Sequence, residues 1–313
     1  MSLMITTITF NPALDKTIQV DALDYGKVNR VGHFREDLGG KGINMGRILG
    51  GFGIETKHVI VLGQENQKAV LEFFEKDGMQ LEYLSVAGYT RTNMKIVERA
   101  KNQTTDINEA GLEVSAKDIQ ALFAMIDEAA KDSDYLVMGG SLAKGMPTDM
   151  YGQIARRYGH MCRVVIDADD DVLIEGLKGR PFMVKPNIHE LENALNRKLT
   201  TLEEIVTAAR DLIDQYGVEI VVVSMGKEGS LVVTRDTMHR QGTYPTEVVS
   251  TVGAGDSMVA GFIYGLIHEM GLDKSLAFAS ACSSLTIEVE GYPKLDLQEA
   301  MRRTEHLMEE SFS

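Results

Sequence analysis

Short apolar segments alternate with segments of helical periodicity along most of this chain. The apolar runs at residues 135–138, 163–166 and 219–223 are rich in Val and Ile. Such runs between helices are typical of strands in a mostly parallel sheet that is covered on both faces. The pattern therefore predicts an α/β fold, a doubly wound, mostly parallel sheet flanked by helices. Helices are predicted at 115–131, 150–158, 202–216, 255–269, 274–289 and 296–308.

Two other stretches, residues 17–38 and 93–107, alternate between apolar and polar residues. Such alternation indicates strands with one face exposed, and we expect these to be short antiparallel strands of a small β-sheet lid. A separate strand, predicted at 4–10, opens the chain and stops at Asn11-Pro12. The predicted division is a core of residues 1–11, 38–88 and 109–313 that binds nucleotide and substrate, and a lid of residues 12–37 and 89–108.

Composition restricts the class of protein and its ligands. The chain has 313 residues, 44% of them hydrophobic, which is enough for a sizeable core. Its formal net charge of −14 offers no basic surface for nucleic acid, so any anionic ligand must be held by local groups. Cys162 and Cys282 lie in apolar segments and are expected to be buried and reduced. Because no leader pattern and no apolar run of about 18 residues occurs, we expect a cytoplasmic protein without a membrane segment.

The segment Ser250 to Ser257 is the most informative one for chemistry. Its small residues Thr251-Val-Gly-Ala-Gly255 precede Asp256 and a helix-like apolar run. A helix that begins this way exposes backbone N–H groups, which attract an anion such as a phosphate. Asp256 could take a proton from a neighbouring hydroxyl, or it could cap the helix. The segment alone allows both interpretations.

A second glycine-rich segment, Gly39-Gly40-Lys41-Gly42-Ile43-Asn44, also stands at a predicted loop-to-helix junction. Glycines let backbone amides approach a ligand closely, and Lys41 and Asn44 add a cation and an amide. The alternative is an ordinary glycine-rich turn. The segment matches neither the Walker order nor G-x-G-x-x-G, and the missing second fingerprint also disfavours a dinucleotide-dependent oxidoreductase.

Three further segments follow predicted strands, where α/β sheets bind ligands. Asn187 and Glu190 suit a hydrated Mg²⁺, but their spacing equally fits a helix capping box. Gly226 and Gly229, after Ser224, could admit a nucleotide or form a hairpin turn. Asp15 could bind sugar hydroxyls or belong to a turn.

The order of these segments resembles that of the ribokinase-like, PfkB-type carbohydrate kinases. The matching strings are NPALD, GGKGxN, KPNxxEL, SMGxxG and TVGAGD, and the resemblance covers nearly all of residues 4–310. It implies phosphoryl transfer from ATP with Mg²⁺, a β-sheet lid that often makes a homodimer contact, and a monovalent cation such as K⁺ as a further candidate cofactor. Nucleic acid and membrane partners are not expected, because of the negative net charge and the lack of a long apolar run.

The resemblance also implies a role for each matching residue. Asp256 is implied as the general base, and the backbone amides of Gly253, Ala254 and Gly255 as its anion hole. Asn187 and Glu190 are implied to hold Mg²⁺ through water. The implied nucleotide contacts are Lys185, Asn187, Ser224, Gly226, Gly229 and Thr251. The implied sugar contacts are Asp15, Lys27, Gly39, Gly40, Lys41, Asn44, Arg91, Asn93 and Ser141.

Within the family, the chain looks closest to the branch that phosphorylates fructose 1-phosphate or tagatose 6-phosphate. The segments 11–15, 91–95 and 105–109 carry this judgement, and fructose 1-phosphate is the substrate we expect. Arg91, helped by Lys27, would grip the phosphate that the substrate already carries. Ser141 lies in a matching G-S-L segment, although Ala143-Lys144 replaces the prolines expected next.

Other activities remain open at this stage. Tagatose 6-phosphate or fructose 6-phosphate could be the acceptor, because one Arg and one Lys can hold a phosphate at either end of a ketohexose. A non-catalytic sugar-phosphate sensor on the same fold would be expected to lack the base or the Mg²⁺ pair. The presence of Asp256, Asn187 and Glu190 argues against a sensor.

Overall fold

The computed structural model describes residues 3–101 and 103–310. The predicted core and lid ranges also include residues 1–2, 102 and 311–313, which lie outside the described residues. The described strands are β1 (Met4–Thr9), β2 (Ala13–Val20), β3 (His33–Gly39), β4 (Glu55–Gly63), β5 (Gln80–Val86), β6 (Arg91–Glu98), β7 (Gln103–Asn108), β8 (Tyr135–Gly139), β9 (Arg163–Asp167), β10 (Met183–Val184), β11 (Ile220–Ser224), β12 (Ser230–Val233) and β13 (Met238–Gln241). The described helices are α1 (Lys41–Gly51), α2 (Gln67–Asp77), α3 (Ala116–Lys131), α4 (Met150–Tyr158), α5 (Asp170–Leu177), α6 (Ile188–Leu195), α7 (Leu202–Tyr216), α8 (Ala254–Ile267), α9 (Leu272–Ile287) and α10 (Leu297–Glu310).

Within the described residues, nine strands form one sheet in the order β13-β12-β11-β10-β9-β8-β1-β4-β5. All neighbours from β11 to β5 are parallel, and only β12 and β13 are antiparallel. The predicted mostly parallel sheet is therefore confirmed. Because parallel strands end together, their carboxyl ends form one edge at which loops from distant parts of the sequence meet.

Helices cover both faces of this core sheet. Apolar residues on one face pack with α3 to α7, for example Ile126, Ile154 and Leu212. On the other face α1, α8, α9 and α10 pack through residues such as Leu49 and Phe278. Both faces of the central strands are therefore buried, which explains why the sequences of these strands are continuous apolar runs.

A second sheet of four described strands has the order β3-β2-β6-β7 and is called the small sheet below. Its existence confirms the predicted lid, but the prediction of antiparallel strands throughout was wrong. β2 and β6 pair in parallel, with Ala13 opposite Arg91. In the chain, β2 follows the core strand β1 and β6 follows the core strand β5, and β3, α1, β4 and α2 lie between β2 and β5. The boundaries of core and lid as separate units stay a prediction.

The structure also bears on the predicted helix bounds, the two cysteines and the membrane prediction. The helices of the C-terminal third lie within about two residues of their predicted bounds. Cys162 and Cys282 are both buried and free of disulfides. Among the described residues, no helix is both long and apolar enough to cross a membrane.

Candidate active site

A cleft of about 470 Å³ lies between the carboxyl edge of the core sheet and the small sheet. The loops after β1, β8, β9 and β10 line one side, and β2 and β6 line the other. The predicted site residues that line the cleft are Asp15, Gly40, Lys41, Asn44, Arg91, Asn93, Ser141, Lys185, Asn187, Glu190, Ser224, Gly253, Gly255 and Asp256. The fold thus brings most of the motif residues together.

Asp256 lies in the first turn of α8, which begins after Gly253. Gly253 has a φ of 79°, a left-handed conformation that glycine adopts without strain, and no side chain caps this helix. The capping interpretation of Asp256 is therefore wrong. Instead its Oδ2 accepts a hydrogen bond of 2.7 Å from Nδ2 of Asn44.

The Asp256 carboxyl is poised between its two protonation states. Burial, and secondarily the negative charge of Asp167, raise its pKa to about 7. The Asn44 hydrogen bond and the cations Lys41 and Lys185 oppose that rise. A carboxyl with such a pKa can accept a proton from a ligand near neutral pH.

This raised pKa predicts how the fold responds to pH. In the unfolded chain the carboxyl titrates near its ordinary value of 3.8, so between about pH 4 and 7 only the folded protein keeps the proton. Stability from this group is therefore complete below about pH 4, falls as pH rises towards 7, and stays low above it. Replacing Asp256 by asparagine should raise the free energy of unfolding by up to about 4 kcal/mol at pH 8 and much less at pH 4.5.

Thermal unfolding of both proteins at the two pH values measures this difference. The exposed Asp236→Asn substitution is the matched control and should leave the unfolding temperature unchanged at both. An Asp256→Asn protein that gains no more stability at pH 8 than at pH 4.5 would contradict the raised pKa.

Two lysines and an aspartate form a buried charge cluster beside Asp256. Nζ of Lys41 lies 3.2 Å from Asp167 and 2.8 Å from Asp169, and Nζ of Lys185 lies 3.4 Å from Asp167. Burial lowers the pKa of Lys41, but the negative charges of Asp167 and Asp169 outweigh burial and hold that pKa above its ordinary value. Likewise Lys185 and Lys41 outweigh burial and hold the pKa of Asp167 below its usual range. Lys41 and Asp167 therefore stay charged, and ion pairs with Asp167 fix both lysines in the cleft.

Sequence reasoning missed Asp167 and Asp169. Asp167 ends β9 and Asp169 follows two residues later, and Oδ2 of Asp167 is buried with no hydrogen-bond partner among the described residues. The acidic string that begins at Asp167, just after an apolar strand, was a signal that could have identified them.

On the small-sheet side, a second carboxyl is held from both ends. Asp15 accepts hydrogen bonds from Nδ2 of Asn93 at 2.8 Å and from the Tyr292 hydroxyl at 2.6 Å. Burial raises the pKa of Asp15 despite these bonds. Tyr292 was not predicted, because it comes from an irregular loop after α9 that carries no motif. The fixed Asp15 carboxyl can accept hydrogen bonds from ligand hydroxyls.

Glycine is required where the side chain of Asp15 packs against the backbone just before α1. A Cβ atom on Gly39 would lie 1.9 Å from Oδ2 of Asp15. Gly40 adopts a φ of 141° just before α1 begins. The glycine pair thus permits the close approach of Asp15, and Gly39 itself does not line the cleft.

Arg91 is the half-buried cation of this side. Its Nη2 donates to the backbone oxygen of Asn11 at 3.0 Å, and its Nε has no partner among the described residues. Burial lowers the pKa of Arg91, while Asp15 opposes that effect. Ser141 lies nearby and accepts a hydrogen bond from Nδ2 of Asn11 at 3.1 Å.

Asn187 and Glu190 form the capping box that the sequence allowed. Oδ1 of Asn187 accepts from the backbone N–H of Glu190, and Oε2 of Glu190 accepts from that of Asn187. Burial raises the pKa of Glu190. Both side chains also line the cleft, so the cap fixes two oxygen-bearing groups where a hydrated cation could be held.

The remaining predicted residues lie outside the cleft lining. Lys27 is 71% exposed and lies 3.6 Å from Asp24 in a loop of the small sheet. Gly226 and Gly229 lie in the hairpin between β11 and β12, so the hairpin interpretation is confirmed. A Cβ atom on Gly229 would lie 2.0 Å from the backbone oxygen of Gln241. Thr251 and Ala254 lie within two residues of Gly253 but do not line the cleft. The ligand roles of all these residues stay predictions.

Comparisons with known proteins show what the chain is similar to. The model of the pfkB family carbohydrate kinases matches residues 8–295. The chain is 37% identical to a 1-phosphofructokinase of Vibrio cholerae over 292 residues, 93% of this chain and 92% of that protein. It is 34% identical to a 1-phosphofructokinase of Escherichia coli K12 over 288 residues, 92% of each chain.

Among solved structures, phosphofructokinase-2 of Escherichia coli in complex with potassium has a TM-score of 0.91. The two are 23% identical, and the match covers 98% of this chain and 99% of that one. At this identity the likeness supports the fold alone.

Proposed function

The chain belongs to the pfkB family of carbohydrate kinases, and we propose that it transfers the γ-phosphoryl group of ATP to the 6-hydroxyl of D-fructose 1-phosphate. The products are D-fructose 1,6-bisphosphate and ADP. The observation that carries this proposal is a buried carboxyl, Asp256, with a pKa of about 7 in a cleft that also holds two fixed cations. The choice of acceptor rests on the curated 1-phosphofructokinase relatives.

In the proposed reaction Asp256 accepts the proton of the 6-hydroxyl as that oxygen attacks the γ-phosphorus. The new bond joins the sugar oxygen to phosphorus, and the bond from the γ-phosphorus to the bridging oxygen of ADP breaks. Little covalent chemistry falls to the protein, so positioning and charge stabilisation supply most of the rate. The N terminus of α8 at Gly253 to Gly255 and the cation Lys41 are suited to the negative charge of the phosphoryl group.

Kinases of this family use Mg²⁺ with ATP, and the side chains of Asn187 and Glu190 fit such an ion. They present oxygen atoms, the ligands that Mg²⁺ prefers, and both line the cleft. Their mutual hydrogen bonds leave them suited to hold the ion through water. When bound, Mg²⁺ would neutralise charge on the phosphates. The proposed nucleotide side of the cleft also includes Lys185 and Ser224.

The sugar phosphate is proposed to lie between Asp256 and the small sheet. Asp15 would accept hydrogen bonds from sugar hydroxyls, since Asn93 and Tyr292 hold its carboxylate in place. Arg91 would bind the 1-phosphate, because its guanidinium lies in the cleft with an unpartnered Nε among the described residues. A guanidinium can hold a phosphate with two parallel hydrogen bonds.

Replacing Arg91 by alanine should raise KM for fructose 1-phosphate by about 10- to 100-fold, because charge-assisted hydrogen bonds are lost. The change in kcat should stay below about threefold, since the reacting hydroxyl is at the other end of the sugar. Steady-state kinetics with fructose 1-phosphate and with fructose separate the two effects.

The Arg99→Ala substitution, at an exposed residue just after the same strand, is the control for Arg91. It should leave both constants unchanged. An Arg91→Ala enzyme that loses as much activity towards unphosphorylated fructose as towards fructose 1-phosphate would exclude the phosphate-binding role.

A coupled assay of ADP release tests the proposed function. The acceptors compared are fructose 1-phosphate, fructose 6-phosphate, tagatose 6-phosphate and fructose. We expect the highest kcat/KM with fructose 1-phosphate. A higher value with tagatose 6-phosphate or fructose 6-phosphate would reassign the acceptor, and ADP release that no sugar stimulates would contradict the kinase proposal.

The proposal extends to the setting of the enzyme. Large apolar side chains are exposed on the small sheet and its loops, namely Tyr25, Val28, Phe34 and Ile107. Such a surface suits the homodimer contact expected of this family, and sedimentation of the purified chain tests it. ATP and sugar phosphates are metabolites of the cytoplasm, where we place the reaction. A monovalent cation such as K⁺ stays an expected cofactor on the family resemblance alone.

A further inference from the structure

Arg47 of α1 is an almost buried arginine with no part in the reaction proposed above. Only 9% of its side chain is exposed, and it does not line the cleft. Its Nε donates to Asp77 at 3.0 Å, its Nη2 to the backbone oxygen of Leu38 at 3.2 Å, and its Nη1 to Oδ1 of Asn44 at 3.2 Å. These contacts fix the guanidinium against Asn44, the residue that donates a hydrogen bond to Asp256.

The contact with Arg47 dictates which end of the Asn44 amide faces Asp256. A guanidinium has donors only, so Asn44 must turn its oxygen towards Arg47. The NH₂ group of Asn44 then points the other way and donates to Oδ2 of Asp256 at 2.7 Å. Since Asn44 is only 4% exposed, water is largely excluded as a substitute partner.

We infer that Arg47 is a positioning residue for the base: by fixing the orientation of the Asn44 amide, it keeps a hydrogen-bond donor on Asp256 and so favours its ionised form. This inference rests on the proposed function. Without Arg47 the amide can turn over and present its oxygen to Asp256. Only a protonated carboxyl can donate to that oxygen, so the turned amide favours the form that cannot act as a base.

Other groups also face Asp256 and remain when Arg47 is replaced. They are Lys41 from α1, Asp167 from the end of β9, Lys185 from the loop after β10 and Tyr292 from the loop after α9. Lys41 and Lys185 favour the carboxylate, and Asp167 disfavours it. None of the three charged groups among them shares a hydrogen bond with Arg47. Arg47 also lies over the ring of Tyr292, with Cζ 5.8 Å from the ring centroid, but Tyr292 is uncharged. The hydrogen-bonded path from Arg47 to Asp256 runs through Asn44, and we expect a change caused by replacing Arg47 to act along it.

The test compares the pH profile of kcat/KM for fructose 1-phosphate in the wild-type and Arg47→Met enzymes. We expect the acid limb of the Arg47→Met profile to move up by about one pH unit. At pH 6 kcat/KM should then fall about tenfold, while at pH 9.5 it should stay within about twofold of wild type. An acid limb that stays in place, or moves to lower pH, overturns the inference.

A second substitution tests whether the donor matters. Lysine also only donates hydrogen bonds, so in Arg47→Lys the acid limb should move by no more than half of the shift seen in Arg47→Met. An Arg47→Lys enzyme with the same displaced limb as Arg47→Met would also count against the inference.

The controls separate positioning from general stability. Arg303 has the same side-chain exposure of 9% and pairs with Glu288 and Glu299 away from the cleft lining. Arg303→Met should destabilise the fold without moving the acid limb. Should Arg47→Met fail to fold because Asp77 is left without Arg47, the Arg47→Met, Asp77→Asn double variant removes that charge and should show the same upward shift.

A measurement without substrate separates this inference from the proposed function. The stability gained on Asp256→Asn, followed against pH in the wild-type and Arg47→Met backgrounds, reports the titration of Asp256 directly. We expect the gain to level off about one pH unit higher in the Arg47→Met background. If the wild-type enzyme phosphorylated no sugar phosphate, the proposed function would fail, and this titration would still support or overturn the role of Arg47.

Discussion

Asp256→Asn is expected to lower kcat by about 10² to 10⁴-fold and to leave ATP binding intact, as the loss of a general base does. Asparagine has the shape of aspartate and can still accept the hydrogen bond from Asn44 through its amide oxygen. It cannot take the proton of the attacking hydroxyl. Steady-state kinetics with fructose 1-phosphate and calorimetric titration with MgATP measure the two quantities.

The same Asp236→Asn substitution that controls for stability serves here, and its kcat should equal that of wild type. Because Asp256→Asn is also expected to be the more stable protein above pH 7, low activity could not be ascribed to unfolding. An Asp256→Asn enzyme with near-normal kcat would remove Asp256 from the mechanism. Loss of ATP binding together with kcat would indicate a binding role in place of proton transfer.

Lys41→Met is expected to lower kcat by about 10² to 10³-fold, the usual effect of removing one group that stabilises charge in the transition state. Lys41 is a mostly buried cation, held by Asp167 and Asp169, in the same cleft as Asp256. Methionine keeps the length of the side chain without its charge. Rates measured at saturating ATP and sugar phosphate show the effect on kcat.

The exposed Lys178, which lies 2.5 Å from Glu175 on the surface, is the matched control. Lys178→Met should leave kcat unchanged. If Lys41→Met raised only KM for the sugar phosphate, Lys41 would be a binding group that does not act on the transition state. Thermal unfolding of both variants excludes a trivial loss of structure.

The core could be predicted from sequence because its physical cause is local. Strands buried on both faces must be apolar throughout, and β8, β9 and β11 were recognised for that reason. The small sheet was recognised from its alternating pattern. Its parallel pair β2 and β6 was not, since strand direction depends on where the intervening chain leaves and re-enters the core.

The candidate site was predictable where a motif carries it and not elsewhere. Asp256 and Asn44 lie 212 positions apart, and their motifs indicated a shared site but not their hydrogen bond. Tyr292 and Arg47 have no motif of their own chemistry, so only the fold reveals that they hold Asp15 and Asn44. The capping interpretation of Asp256 could be excluded only from the fold, in which α8 begins after Gly253 without a side-chain cap.

Phosphorus NMR of the reaction products tests the central claim most directly. The purified enzyme is incubated with MgATP and D-fructose 1-phosphate, and the resonances of both sugar phosphate groups are followed over time. We expect ADP and D-fructose 1,6-bisphosphate to appear in equal amounts, with a new phosphate signal from the 6-position. ADP accompanied by inorganic phosphate, with D-fructose 1-phosphate unchanged, would contradict transfer to the 6-hydroxyl in this cleft.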